Sequence, residues 1–193
     1  MKISIAIMAH PSREKFFPYL REKLGDIPFS IDETGIGVWE SRKRATLMFD
    51  PTADYHLVLQ DDAIICENFK ELAEKTIGNN GKYVYNFYYG RRRNRVKEAK
   101  HGEKKGYVIS DKVTWGVAIC FPTKLIPEMI KYCDKLTAPQ DDHRIGLFVR
   151  HKGIKVYFPI PSLIEHRAEE ESLVGNAFSP GRKAAYFIDN KTK

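Results

Sequence analysis

Two adjacent carboxylates, Asp61 and Asp62, follow a short apolar run that ends at Gln60. This run, residues 56–59, predicts a buried strand, and the functional groups of α/β sheets often lie just past the carboxyl ends of such strands. Neighbouring carboxylates repel each other unless a cation lies beside them, and oxygen ligands suit Mg²⁺ or Mn²⁺. The pair therefore predicts a divalent-cation site. The alternative is a pair of solvated aspartates in a loop.

A second acidic pair, Asp141 and Asp142, precedes a segment with helical periodicity. The helix dipole favours acidic residues in a first turn whatever their function, so a capping role is one interpretation. The other is catalytic, because a positioned carboxylate can act as a general base. His166 ends a later strand-like segment, in the same way that the first acidic pair does.

The formal net charge of +7 is concentrated in one segment, where eight basic residues face two acidic ones between Gly90 and Gly106. The basic residues are Arg91, Arg92, Arg93, Arg95, Lys97, Lys100, Lys104 and Lys105. Such a segment favours an anionic partner, which could be a phosphate, a nucleic acid or an acidic glycan. It shows no periodicity and predicts a long loop, which is either functional or simply solvated.

The bulk properties predict a single soluble domain. The chain has 193 residues, with 42% apolar and 30% charged residues. No apolar run approaches the roughly 18 residues that a membrane-spanning helix needs. The apolar N-terminus predicts a first strand and not a signal peptide. Three cysteines without close spacing indicate a reducing compartment, so a cytoplasmic location is expected.

The chain opens with the pattern strand, helix, strand, which is typical of a doubly wound sheet. A second helix follows the turn at Gly35–Gly37, and Arg42 and Arg44 near its start could contact a diphosphate or lie on the surface. Its inward-facing residues are expected to be Ala45, Leu47, Met48 and Phe49. Residues 78–81 predict a turn, and residues 82–89 an aromatic-rich strand.

Trp115 precedes a glycine, so an aromatic face lies beside accessible backbone. That combination can hold a sugar ring, although a core position for Trp115 is an equal alternative.

Together these segments resemble glycosyltransferases of the GT-A fold. The resemblance covers roughly residues 1–170, and its most specific part runs from Asp141 to His166. In order, it consists of the strand ending in Gln60-Asp61-Asp62, then Trp115 to Ala118, Asp141-Asp142 to Arg150, Gly153 to Pro159, and His166. The compact size is similar to that of small transferases encoded by viruses and phages, which would place the protein in a host cytoplasm.

The resemblance implies a GT-A-like α/β domain over residues 1–167, with a mixed, mainly parallel sheet flanked by helices, followed by a tail or lid over 168–193. It implies that Asp62 and His166 bind Mn²⁺ or Mg²⁺ and that Asp142 is the general base. Gln60 stands where the family has the first Asp of D-x-D, and Asp141 where it has Glu, so either aspartate could be the base. The donor site would comprise Ala9, His10, Arg13, Ser41, Arg42, Gln60, Asp61 and Trp115.

The expected reaction is transfer of a sugar from a UDP- or GDP-type donor to a hydroxyl of a glycan or another acceptor, including modified DNA. A single base with direct displacement predicts inversion at the anomeric carbon. The tail could order over the diphosphate, with Arg182 or Lys183 in contact, or remain a disordered terminus. Two other interpretations use the basic segment 91–105. They are a metal-dependent nucleic-acid enzyme and a non-catalytic nucleic-acid-binding module.

Overall fold

The computed structural model describes residues 1–91, 96–167, 169, 170, 173 and 182–188. Arg92, Arg93 and Arg95 of the predicted basic loop, and most of the predicted tail, lie outside these residues. The described strands are β1 (Ile3–Ala9), β2 (Phe29–Ile31), β3 (Tyr55–Gln60), β4 (Ala63–Ile65), β5 (Val84–Asn86), β6 (Tyr107–Ser110), β7 (Ala118–Pro122), β8 (Val156–Pro159) and β9 (Ile164–His166). The described helices are α1 (Phe17–Leu24), α2 (Val38–Thr46), α3 (Phe69–Asn80), α4 (Val96–Lys105), α5 (Ile126–Cys133) and α6 (Asp141–His151).

Seven of the described strands form one sheet in the order β2-β1-β3-β7-β5-β8-β6, and β4 pairs with β9 in a second sheet. β1 is parallel to β2 and β3, and β5 is parallel to β8. β7 is antiparallel to both β3 and β5, and β6 is antiparallel to β8. The predicted single α/β domain with a mixed, helix-flanked sheet is therefore confirmed. Because β1, β2, β3, β5 and β8 share one direction, their carboxyl ends meet at one edge, which we call the carboxyl edge.

The first strand, helix and strand form as the sequence predicts. A 3-10 turn over Pro11–Phe16 separates β1 from α1, and Pro18 lies in the first turn of α1, where its missing N–H costs nothing. Gly25 ends the helix with a φ of 79°, a conformation that L side chains rarely adopt. The short helix thus returns the chain to β2 beside β1.

Two predictions of local structure are wrong at helix ends. Leu47 and Met48 were expected to face inward, but their exposed fractions are 55% and 39%. The reason is that α2 ends at Thr46, so both residues follow the last turn instead of continuing its buried face. The turn predicted over residues 78–81 is also misplaced, because α3 continues through Asn80 and only Gly81 leaves the helix.

The aromatic-rich segment forms a shorter strand than predicted, since only Val84–Asn86 pairs in the sheet. Beyond it, Phe87 O accepts hydrogen bonds from the N–H groups of Leu163 and Ile164, both at 3.1 Å. Tyr89 N donates to Ser162 Oγ at 3.0 Å. The chain leaves β5 because its backbone groups pair with residues 162–164, and this brings the segment before His166 to the carboxyl edge.

The prediction of a loop throughout the basic segment is wrong for residues 96–105, which form α4. Ala99 is buried, and a Cβ on Gly102 would lie 2.5 Å from Val108 Cγ2. The helix therefore packs against β6 through its smallest residues. An inner face made of alanine and glycine produces no apolar periodicity, which is why the sequence pattern did not reveal this helix.

The core lies on both faces of the large sheet, and the polar side chain of His56, the second residue of β3, is buried within the protein. His56 is almost fully buried, with Nδ1 2.9 Å from Ser4 Oγ and Nε2 3.2 Å from Ala45 O. Burial lowers the pKa of His56 from 6.5 to about 4. No helix in the described part of the chain is long and apolar enough to cross a bilayer.

We expect the low pKa of His56 to make the fold sensitive to acid. Because the folded-state pKa of about 4 lies below the unfolded value of 6.5, the stabilisation is complete above pH 6.5 and is lost as the pH falls toward 4. The free energy of unfolding should fall by about 3 kcal/mol as a result. Urea unfolding between pH 7.5 and 4.5 measures it. In a His56→Gln variant, which cannot be protonated, the free energy of unfolding should fall less over this range. If the free energy of unfolding fell equally with pH in both proteins, the low pKa of His56 would not be the cause of the acid sensitivity.

Candidate active site

The first acidic pair lies at the carboxyl edge, where two parallel strands and the small sheet meet. Asp61 follows β3, and its Oδ2 accepts a hydrogen bond of 2.7 Å from the backbone N–H of His10, which follows β1. In the small sheet, Ala63 is the register partner of His166. Since Ala63 comes directly after Asp62, this pairing places the imidazole beside the carboxylate, with His166 Nε2 3.2 Å from Asp62 Oδ2.

Arg13 binds both carboxylates of the first pair. Its Nη1 lies 2.9 Å from Asp61 Oδ1 and 2.6 Å from Asp62 Oδ2, and all three side chains are buried. Burial raises the pKa of Asp61 in spite of this contact. Burial acts in the same direction on Asp62, but the hydrogen bond and charge of His166, together with Arg13, hold its pKa below the usual value. Of the two carboxylates, Asp62 is therefore the one whose charged form its surroundings favour.

Arg182, from the segment expected to be a tail or lid, also reaches this cluster. Its Nη2 lies 3.4 Å from Asp62 Oδ2 and 3.2 Å from His166 Nε2, and its Nη1 donates to Glu170 O at 2.7 Å. The carbonyl of Arg182 accepts a hydrogen bond from the hydroxyl of Tyr88. The sequence suggested Arg182 or Lys183 as a contact of the diphosphate in a lid, and the contacts observed put the Arg182 guanidinium against Asp62.

The rest of the described tail is tied to the body of the protein. Ala185 N donates to Tyr89 O at 2.8 Å, and Ser162 N donates to Tyr186 O at 2.7 Å. Ile188 N in turn donates to Ser162 O at 3.0 Å. Residues 182–188 therefore form a strap over the carboxyl edge, and this strap fixes the position of Arg182.

The two aspartates of the second acidic pair have different surroundings. Asp141 is buried, and its Oδ2 accepts a hydrogen bond of 2.7 Å from Arg42 Nε. Asp142, the next residue in the first turn of α6, is half-buried. The pair therefore consists of one carboxylate held in the interior by an arginine and one that lies nearer to solvent.

Arg42 is only 1% exposed and uses its guanidinium inside the protein. Besides Asp141, it donates to Val58 O at 3.2 Å and to Gly116 O. A Cβ on Gly116 would lie 3.0 Å from Asp141 Oδ2, so the ion pair fits because that residue is a glycine. Where the sequence suggested a ligand for the donor diphosphate, the structure places a buried ion pair that joins α2, β3 and α6.

Trp115 belongs to an aromatic cluster at the same edge. The centroid of its ring lies 5.0 Å from that of Tyr89, 5.9 Å from that of Tyr88 and 6.1 Å from that of Phe158. Only 9% of the residue is exposed. Asn86 Nδ2 donates to Trp115 O at 2.8 Å and anchors its backbone. Little of the indole face is left for a sugar, so the core interpretation describes Trp115 better than the stacking one.

The remaining residues assigned to the donor site line the ends of β1, β3 and the start of α2. Ala9 and Ser41 are buried, whereas His10 and Gln60 are half-buried. Asp32 follows β2 and was not among the predicted residues; its Oδ1 accepts hydrogen bonds from the N–H groups of Thr34, Gly35 and Ile36 at 3.3, 2.8 and 3.1 Å. An acidic residue at the end of a strand and before a glycine-containing turn was the signal that could have revealed it.

The residues present can supply part of a divalent-cation site. In the described ranges, no group of three or more His, Cys, Asp or Glu side chains is arranged to hold a metal. Asp62 and His166 nevertheless offer an oxygen and a nitrogen 3.2 Å apart, and Asp62 Oδ1 is buried without a hydrogen-bond partner among the described residues. Two protein ligands suit a cation that takes its other ligands from phosphate oxygens and water, as Mg²⁺ commonly does.

The arrangement thus combines a cluster of paired charges around Asp62 with a second carboxylate pair. Arg13, Arg182 and His166 surround Asp62, while Asp142 lies at the start of α6 beside the buried Asp141.

The chain matches no model of a protein family, and a search of curated proteins likewise found no match.

Proposed function

We propose that this protein is a metal-dependent glycosyltransferase of the GT-A type, which moves a sugar from a UDP- or GDP-type donor to an acceptor hydroxyl. The observation that carries the proposal is the 3.2 Å approach of His166 to Asp62 at the end of β3. Two segments far apart in sequence meet there, together with the guanidinium groups of Arg13 and Arg182. A carboxylate, an imidazole and two arginines form a suitable environment for a diphosphate and its cation.

The donor diphosphate would bind next to Asp62 and His166. When bound, a divalent cation supplies charge neutralisation for the leaving diphosphate. Arg182 approaches Asp62 only to 3.4 Å and is the most exposed of the cationic side chains around it. Its guanidinium can therefore turn from the carboxylate to a phosphate oxygen, for which arginine has a matching geometry. Arg13 is buried on both carboxylates and holds Asp61 and Asp62 in place.

Asp142 is the residue we assign as general base. Asp141 is buried and its Oδ2 is bound by Arg42, so an acceptor hydroxyl has less access to it than to the half-buried Asp142. The hydroxyl proton passes to the Asp142 carboxylate while the acceptor oxygen bonds to the anomeric carbon. The bond from that carbon to the diphosphate oxygen breaks, and the electron pair leaves with the diphosphate. This single displacement inverts the anomeric centre, which NMR of the product can establish.

Thermal unfolding in the presence of nucleotides tests the proposal. At 100 times Kd, UDP or GDP with Mn²⁺ should stabilise the fold by about 2.7 kcal/mol, and the effect should shrink without the cation. An Asp62→Asn variant should lose the part that depends on Mn²⁺, because it loses an anionic ligand. The matched control is Glu74→Gln, which alters an exposed residue of α3. This variant should keep the Mn²⁺-dependent part of the stabilisation. Stabilisation by an oligonucleotide, with none by nucleoside diphosphates, would instead favour a nucleic-acid enzyme or binding module.

A further inference from the structure

The outer face of α4 carries a line of lysines that point away from the core. Lys97, Lys100 and Lys104 are all exposed and lie three and four residues apart, so they share one side of the helix. Ala99 and Gly102 occupy the opposite, buried side. With a rise of 1.5 Å per residue, the lysine face is about 10 Å long. We call these three lysines the α4 lysine face.

The positive charge of this face is poorly compensated. Within the described residues, none of the three lysines forms an ion pair. α4 carries four lysines and two acidic residues, Glu98 and Glu103, and Glu98 Oε2 accepts a hydrogen bond of 2.7 Å from Tyr89 on another segment. The face therefore presents an excess of positive charge to solvent, which attracts anions.

Backbone contacts connect the strap to Gly90 and Arg91, the last described residues before α4. Arg91 N donates to Lys183 O at 2.7 Å, and Gly90 forms a bridge with Ala184. Lys183 follows Arg182, whose guanidinium lies beside Asp62. Both Arg91 and Lys183 are exposed. Positive side chains thus continue from the acidic cluster, along the strap, toward α4.

We propose that the acceptor is an acidic or phosphorylated glycan, whose anionic groups bind the α4 lysine face while one of its hydroxyls reaches Asp142. The inference rests on the proposed function for the role of that site. A glycan is favoured over nucleic acid because the face is short, with three lysines along about 10 Å. Three lysines match the few anionic groups of a small charged oligomer, whereas a protein that binds DNA tightly can make 6–10 phosphate contacts.

The test compares binding of two labelled probes at 50 mM NaCl: a heparin-derived hexasaccharide and a thymidine oligonucleotide of equal charge. A Lys97→Ala, Lys100→Ala, Lys104→Ala variant should bind the hexasaccharide at least tenfold more weakly, with a shallower salt dependence. The matched control removes the same charge from α3 and α5, with exposed lysines replaced in Lys70→Ala, Lys75→Ala, Lys131→Ala. The control should change the Kd less than twofold.

An equal loss of affinity in both triple variants would overturn the inference, and so would tighter binding of the oligonucleotide than of the hexasaccharide by the unaltered protein. Stabilisation by UDP or GDP with Mn²⁺ is measured on the same samples and reports on the donor site alone. If that stabilisation is absent while the α4 variant loses hexasaccharide binding, the proposed reaction fails and the glycan-binding surface stands. If stabilisation is present without hexasaccharide binding, the surface proposal fails alone.

Discussion

Replacing Asp142 by Asn is expected to lower the rate of glycosyl transfer by a factor of about 100 to 10,000, which is the usual contribution of a positioned general base. Asn has nearly the shape of Asp but cannot accept the proton of the acceptor hydroxyl. Donor affinity should remain unchanged, because Asp142 lies in the first turn of α6, whereas the proposed cation ligands are Asp62, just past β3, and His166, the last residue of β9. The fold should lose no more than about 1 kcal/mol, the value of an acid near a helix N-terminus.

Single-turnover transfer and the Kd of the nucleoside diphosphate separate these effects. The matched control is His143→Ala, which alters the next, exposed residue of α6 and should transfer at the original rate. A variant with normal turnover but weakened donor binding would make Asp142 a donor ligand. A product with retained anomeric configuration would exclude the single-displacement scheme in which Asp142 is the base.

Replacing Arg42 by Met is expected to destabilise the protein by about 3–5 kcal/mol, or roughly 10 °C in Tm. Met fills a similar volume and suits a helix, so the loss comes from the charge and hydrogen bonds. Without Arg42, the buried Asp141 has lost its ion-pair partner, and the carbonyls of Val58 and Gly116 lose a donor. Urea unfolding at pH 7.5 measures the difference in the free energy of unfolding.

A double variant, Arg42→Met with Asp141→Leu, distinguishes the cause. Removing both charges eliminates the uncompensated carboxylate, so the double variant should regain most of the stability that Arg42→Met loses. The exposed pair Lys152 and Glu128 is a suitable control, because Lys152→Met should change the stability by no more than about 1 kcal/mol. A double variant as unstable as the single one would place the loss in the unsatisfied carbonyls and not in Asp141.

Several features of the candidate site could be predicted from local sequence patterns. The run that ends at Gln60 places Asp61 and Asp62 just past β3, and the segment before His166 forms β9, as expected from its apolar residues. The helical periodicity after the second acidic pair also forms a helix, α6, whose buried face contains Ile145, Phe148 and Val149. Periodicity and strand ends depend on residues within a few positions of each other, so a single sequence contains that information.

The tertiary structure alone decided which charged groups meet. Arg42 and Asp141 are 99 positions apart, and Arg182 lies 120 positions from Asp62. Nothing in the local pattern distinguishes an arginine that pairs with a buried carboxylate from one that contacts solvent, because both occur on amphipathic helices. The same holds for α4, whose packing depends on the close approach of Gly102 to Val108 across two elements. The sequence by itself determined the strands, the helix faces and the acidic residues at their ends. The pairing of the sheet then decided which of those residues share a site, because contact between distant segments depends on how the strands are ordered.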